Sequence, residues 1–256
     1  MPPLPFFAAD YQGPAFALFG PAHLSALALV VIVNLLLLGF RNANDGVKAT
    51  VRWILAILLI VNEIAWHYWN YAHGLWNVQT LLPLHLCSLM VWAAALMLLT
   101  KSYRTYEFVY FLGIGSAVQA LATPGIGPYG FPHFVFFQYL LSHGVILTAA
   151  LFMTFVEWLR PTWRSLLRVF IWTNIYVVII YFVNQFLGSN YLLINHKPPT
   201  ASLLDLLPDG PLYIVSMEVV ALVTCFLLYL PFALHDWRER MRSNKDNRSR
   251  LDSISK

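Results

Sequence analysis

The sequence predicts an all-α fold: a polytopic bundle of about seven transmembrane helices, with the amino terminus outside and the carboxyl terminus in the cytoplasm. Three observations carry that prediction. Of 256 residues, 59% are hydrophobic and only 11% charged, against about 25% charged in a soluble domain, so polar side chains are too few to cover a water-exposed globule. Apolar runs close to the roughly 20 residues that a helix needs to cross hydrocarbon recur seven times. Lys and Arg fall on alternate connections between those runs, as positive-inside orientation requires. Aromatic residues reach 16%, including 9 Trp, in keeping with rings anchored at headgroup level.

The elements follow in order. Residues 1–21 form an extracytoplasmic segment. Its opening, MPPLPFFAADYQGP, lacks the basic stretch of a signal peptide, and four prolines exclude a helix there, so it is expected to lie at the outer surface. Residues 22–234 form the transmembrane domain, with spans at 22–40, 51–71, 82–100, 105–122, 133–156, 166–187 and 212–234. The third opens with Pro83 in its first turn, where proline is tolerated best. The fourth is interrupted by Gly113, Gly115 and Pro124, and is retained because neighbouring helices in a bundle satisfy the backbone groups that such residues free. Residues 235–256 form a basic tail with too few apolar residues to fold, suited to anionic lipid headgroups.

Orientation rests on counting. Arg41, Lys48 and Arg52 flank the first connection, Lys101 and Arg104 the third, and Arg160, Arg164 and Arg168 the fifth. The tail carries seven more, which leaves Lys197 as the single basic residue on the other side, out of 16. Six or eight spans would destroy this asymmetry. The formal charge of +4 therefore reports topology and excludes a nucleic-acid partner, since the basic residues are not interleaved with exposed aromatics. Cys87 and Cys225 both lie in apolar runs, which excludes a disulfide framework and a CxxC metal knuckle. No motif for a cofactor occurs, and no inverted repeat of the transporter kind is visible.

Ionisable groups inside a bilayer are costly, about 2.5–3.5 kcal/mol for a central charge, so their depths are informative. With the orientation above, His23, His85, Cys87, His133, Gln138, His143 and Glu218 fall in the outer halves of odd-numbered spans. Glu63, His67, Gln119 and Asn184 fall in the outer halves of even-numbered ones. The inner half holds little beyond Asn34 and Asn174. Interhelical hydrogen bonds explain part of such clustering, but carboxyls, imidazoles and a thiol together point to a cavity opening to the outer leaflet. Glu63 and His67, four apart, share a helix face, where a carboxylate fixes an imidazole tautomer. His85 and Cys87, two apart in a continuous helix, would face nearly opposite ways. A base for a Cys87 nucleophile must then come from another helix, and His143 stands at comparable depth.

The segment LPLHLCSL at 82–89 resembles the YwaF-like family of bacterial membrane proteins, which is similar to eukaryotic transmembrane protein 164. The likeness extends to Glu63, Trp66 and His67, to Gln119 with TPG at 123–125, to His143, and to NQFLGSNYLLINHKPPTASLLDLLPDGPLY at 184–213. It covers about residues 20–234. The resemblance implies a bacterial inner or plasma membrane protein. It also implies a cysteine-dependent acyltransferase, with an acyl hydrolase as the variant in which water accepts the chain, acting on membrane phospholipid or lysophospholipid with its nucleophile at Cys87. In that chemistry His143 takes the thiol proton, His85, Gln119 or Gln138 donates to the oxyanion, and Glu63, His67, Asn184 and Glu218 support the site or hold the substrate.

Two other classes share the same residues. A transporter or small-ligand binding protein would use the cavity as its substrate site. A zinc-dependent membrane hydrolase would need three histidine ligands, but the HxxxH pair that the ceramidase-like group carries in its last span is missing here.

Overall fold

The computed structural model describes residues 6–197 and 203–254, and these contain helices and connections with no strand. The helices are α1 (Pro21–Leu37), α2 (Asp45–Ala72), α3 (Leu86–Thr100), α4 (Tyr103–Phe108), α5 (Ile114–Ala122), α6 (Phe134–Phe155), α7 (Trp163–Leu187) and α8 (Pro211–Ile254). A π turn, Val109–Gly113, joins α4 to α5, so 103–122 is one helical run with an irregular middle. Among the described residues five helices are long and apolar enough to cross a membrane: Pro21–Asn42, α2, α6, α7 and Leu212–Ser243 within α8. The apolar α3 is shorter, at 15 residues.

Local chemistry sets the ends. Pro21 opens α1, where its missing N–H costs nothing. Asn44 caps α2 by accepting from the Val47 N–H at 2.9 Å. Thr162 and Ser165 form a reciprocal capping box on α7, and Gly188, at φ 64°, ends that helix in the left-handed conformation. α8 does not stop at the boundary read from the sequence. It continues through the basic segment to Ile254, because Arg, Glu, Lys and Met are good helix formers even where no apolar face exists.

α6 is the axis of the bundle. Ile146, Ala149, Ala150 and Met153 are buried in it, against Ala56 and Leu59 of α2 and Val91, Ala94 and Leu98 of α3. Small residues there let the backbones approach closely, the usual basis of helix association in lipid. A Cβ on Gly144 would meet Val30 Cγ2 at 2.9 Å, so α1 crosses α6 at this glycine. Asn34 Nδ2 donates to Thr148 Oγ1 at 3.0 Å beside it. By contrast α1, α7 and α8 expose apolar side chains over most of their lengths, as helices facing lipid do.

The basic residues gather at one end. Glu157 pairs with Arg52 and Lys101, Arg160 with Asp236, and Arg41 lies over the Trp158 ring at 4.6 Å. Burial alone would push the Glu157 carboxyl up, but the Lys101 hydrogen bond and the Arg52 and Lys101 charges outweigh it and hold the group below the usual carboxylate range. Glu107, fully buried, receives Arg168 and the Ser165 hydroxyl, the latter at 2.7 Å. This carboxylate corrects the expectation of an inner half nearly free of costly groups. It is tolerated because guanidinium and hydroxyl satisfy it.

At the opposite end, residues 6–19 fold over the α5–α6 connection. Ala8 and Ala9 carbonyls accept from His133 Nε2 and the Tyr129 hydroxyl, and the Phe7 carbonyl accepts from Trp69 Nε1.

Candidate functional site

A cavity of about 1030 Å³ lies between α2, α3, α5, α6, α7 and α8. Its walls include Glu63 from α2, His85 and Cys87 at the head of α3, and Gln119 from α5. Gln138 and His143 from α6 and Glu218 from α8 complete the polar set. Seven of the nine candidate residues therefore meet in one space. Much of the remaining wall is apolar, with Phe108, Leu112, Leu166, Val169 and Phe170 lining the part beside the basic end. Along α7 the lining runs from Leu166 to Val177, about 16 Å at 1.5 Å per residue. The cavity is long, with polar groups concentrated away from the basic end.

The start of α3 differs from the sequence expectation and matters most. The helix begins at Leu86, and His85 is its N-cap with extended backbone, ψ 147°. The preceding segment is held off the helix axis from α7 and the turn after it. The Tyr176 hydroxyl donates to the Leu84 carbonyl at 2.9 Å. Tyr191 accepts from the Leu82 N–H at 2.9 Å and donates to the Val78 carbonyl at 2.7 Å. The His85 ring packs edge-on against Tyr191, centroids 5.0 Å apart. His85 and Cys87 are thus not opposed on one helix. Both face the cavity because the residue between them is the first of the helix.

Cys87 then occupies the first turn of α3, where backbone N–H groups have no intrahelical acceptor. No side chain caps this end. The thiol is half-buried and shares the cavity wall with Ser116 and Glu63, and the Ser116 hydroxyl donates to the Gly113 carbonyl at 3.3 Å. Ser116 sits one turn from Gln119 on the cavity face of α5. It was missed in the sequence, where the three-residue spacing was the available signal.

His143 is buried at the same cavity. Its Nδ1 is 2.8 Å from the Tyr139 carbonyl. A carbonyl only accepts, so in the neutral ring Nδ1 carries the hydrogen and Nε2 keeps its lone pair. Glu63 is buried with Oε1 lacking any hydrogen-bond partner. His67 Nε2 stands 3.5 Å from that oxygen, too long for a hydrogen bond of normal strength. Trp76 Nε1 donates to His67 Nδ1 at 3.1 Å, which puts the neutral ring's hydrogen on Nε2, facing Glu63.

Two candidates stand outside the cavity. His67 lies behind Glu63, partly exposed. Asn184 is a structural pin, accepting from the Ser189 hydroxyl and the Tyr191 N–H, both at 2.8 Å, and donating to the Tyr191 carbonyl at 2.9 Å. His23 and His133 are likewise absorbed by structure. His23 accepts from the Phe19 N–H and reaches the Leu121 carbonyl, while His133 caps α6 and reaches the Ala8 carbonyl. Cys225, placed by the sequence in an apolar run, lines the cavity, as do Asn174 and Thr173, whose hydroxyl is buried and unpartnered. Among the described residues no group of three His, Cys, Asp or Glu is arranged to hold a metal ion.

Long apolar helices around a polar-ended cavity define a multi-pass integral membrane protein. The chain matches the model of the TMEM164 family over residues 18–229 and belongs to that family. No curated protein and no solved structure matches it.

Proposed function

We propose that this chain is a membrane enzyme that moves fatty acyl groups through a thioester on Cys87, drawing them from phospholipid and delivering them to a lysophospholipid hydroxyl or to water. The observation that carries the reading is the position of Cys87: first turn of α3, no side-chain cap, facing a long cavity with polar groups around the thiol and apolar walls beyond. The helix amino end favours a developing thiolate, and the free N–H groups of that turn suit an oxyanion. His143 Nε2 is the acceptor for the thiol proton, its tautomer set by Tyr139. The thiolate attacks an ester carbonyl, the C–O bond breaks, and the lysolipid leaves with the proton held by His143. The apolar arm beyond Cys87 suits the acyl chain. In this reading the chain spans the membrane seven times, the basic end faces the cytoplasm, and the thiol works in the outer half of the bilayer.

A second reading takes the same cavity as a transport or ligand-binding site, favoured by its length along α7 and by two carboxyls in its wall.

A thiol-reactive lipid probe on membranes separates the two. Labelling of wild type, its loss in Cys87→Ala, and at least a tenfold slower rate in His143→Ala are expected. Equal labelling of all three would remove the covalent mechanism, and proton-coupled uptake that survives Cys87→Ala would replace it with transport.

A further inference from the structure

Glu63 lines the cavity from α2, and its Oε1 is turned away from that space, buried and without a hydrogen-bond partner. Such an orphan is costly unless something present during function satisfies it. Its one ionic neighbour among the described residues is His67, at 3.5 Å, with Nε2–H directed at it and the ring fixed from behind by Trp76. The His143 imidazole is held by Tyr139 on its own helix. The other titratable groups lining the cavity are His85, Tyr129, Tyr139, Tyr176, Glu218 and Cys225. The two halves of an acyl transfer each need a proton acceptor, and His143 and Glu63 are oriented independently, one by Tyr139 and the other beside His67.

Resting on the acyl-transfer reading, we infer that Glu63 is the catalytic base of the second half-reaction, binding the acceptor hydroxyl through the carboxyl oxygen that does not face His67, with His67 as its positioning residue. The hydroxyl of a lysolipid, or a water, donates to Oε2, the oxygen turned away from His67. As its oxygen attacks the thioester carbonyl of acyl-Cys87, its proton passes to the carboxylate. The tetrahedral intermediate collapses, the C–S bond breaks and its electron pair returns to sulfur. The proton leaves Glu63 for the thiolate, restoring both groups, so that thioester and alcohol become ester and thiol. His67 holds the carboxylate on the attacking side and connects it to the partly exposed face of α2 near Trp76.

The test is a two-stage experiment on the purified full chain in vesicles. A phospholipid with a labelled acyl chain is added first, then unlabelled lysophospholipid. Wild type should acylate Cys87 and discharge it on the chase. Glu63→Gln, which keeps shape but cannot take the proton, should acylate Cys87 at near-normal rate and discharge it at least a hundredfold more slowly, so that acyl-enzyme accumulates. His67→Gln should slow discharge by less and shift its pH profile. Discharge at wild-type rate from Glu63→Gln would overturn the inference while leaving the thioester mechanism in place. So would failure of Glu63→Gln to acylate while monodisperse and thermally stable, because the carboxyl would then belong to the first step. Wild type that never acylates Cys87 would instead overturn the reading on which this one rests.

Discussion

Asn184, His23 and His133 show how a costly polar residue is spent on structure, and Glu63 shows the opposite. Each of the first three has its polar atoms bonded to backbone or to a nearby side chain, whereas Glu63 lines a cavity and its buried Oε1 has no hydrogen-bond partner. The sequence placed all four in the same half of the bilayer, because depth follows from counting along spans. It does not reveal which polar atoms meet local backbone partners, since those partners lie in turns such as 188–191 whose course is set by tertiary contacts. Asn184 therefore belongs to stability. Asn184→Ala strips acceptor and donor from the Ser189–Tyr191 turn and leaves buried groups unpaired, at about 1–3 kcal/mol each. A lower thermal midpoint in detergent is expected, together with weaker fixing of the segment that Tyr191 anchors ahead of α3; an unchanged midpoint would contradict that role.

At the scale of the element, apolar runs located the helices well, because length and hydropathy are local properties. The beginning of α3 was not legible. Pro83 is as acceptable in a first turn as just before one, and the choice is made by hydroxyls of Tyr176 and Tyr191, about a hundred residues away in the chain. The π turn between α4 and α5 was visible only as a weak, glycine-interrupted span. Gly113 within it packs against Ile146, where a Cβ would come within 3.2 Å of Cγ2, and π turns of this kind often border functional sites. The crossing of α1 on α6 gives a sharper test. Gly144→Val forces side chain into a space where even a Cβ stands 2.9 Å from Val30, and overpacking of this kind costs about 1–3 kcal/mol. The variant should be less stable, with partial rescue by Val30→Ala; stability equal to wild type would show that α1 is loosely attached.

For the molecule as a whole, the two ends divide labour. Arg52, Lys101, Arg160 and Arg168 tie α2, α3, α4, α7, α8 and the α6–α7 connection through Glu157, Asp236 and Glu107, fixing the bundle where charge is dense. Away from that end, ionisable groups converge on a cavity, and its apolar extension reaches back toward the ion pairs. That division was legible as charge asymmetry and polar depth. The cavity's shape was not, because it depends on how α7 and α8 lean against the core. The central claim is that the thiol at the head of α3 carries the acyl group. Its most direct measurement is transfer of a labelled acyl chain from phospholipid to lysophospholipid by the purified protein in vesicles, comparing wild type with Cys87→Ser. The account predicts transfer by wild type and a loss of at least a thousandfold in Cys87→Ser of equal stability. Transfer retained by Cys87→Ser at a comparable rate would contradict it.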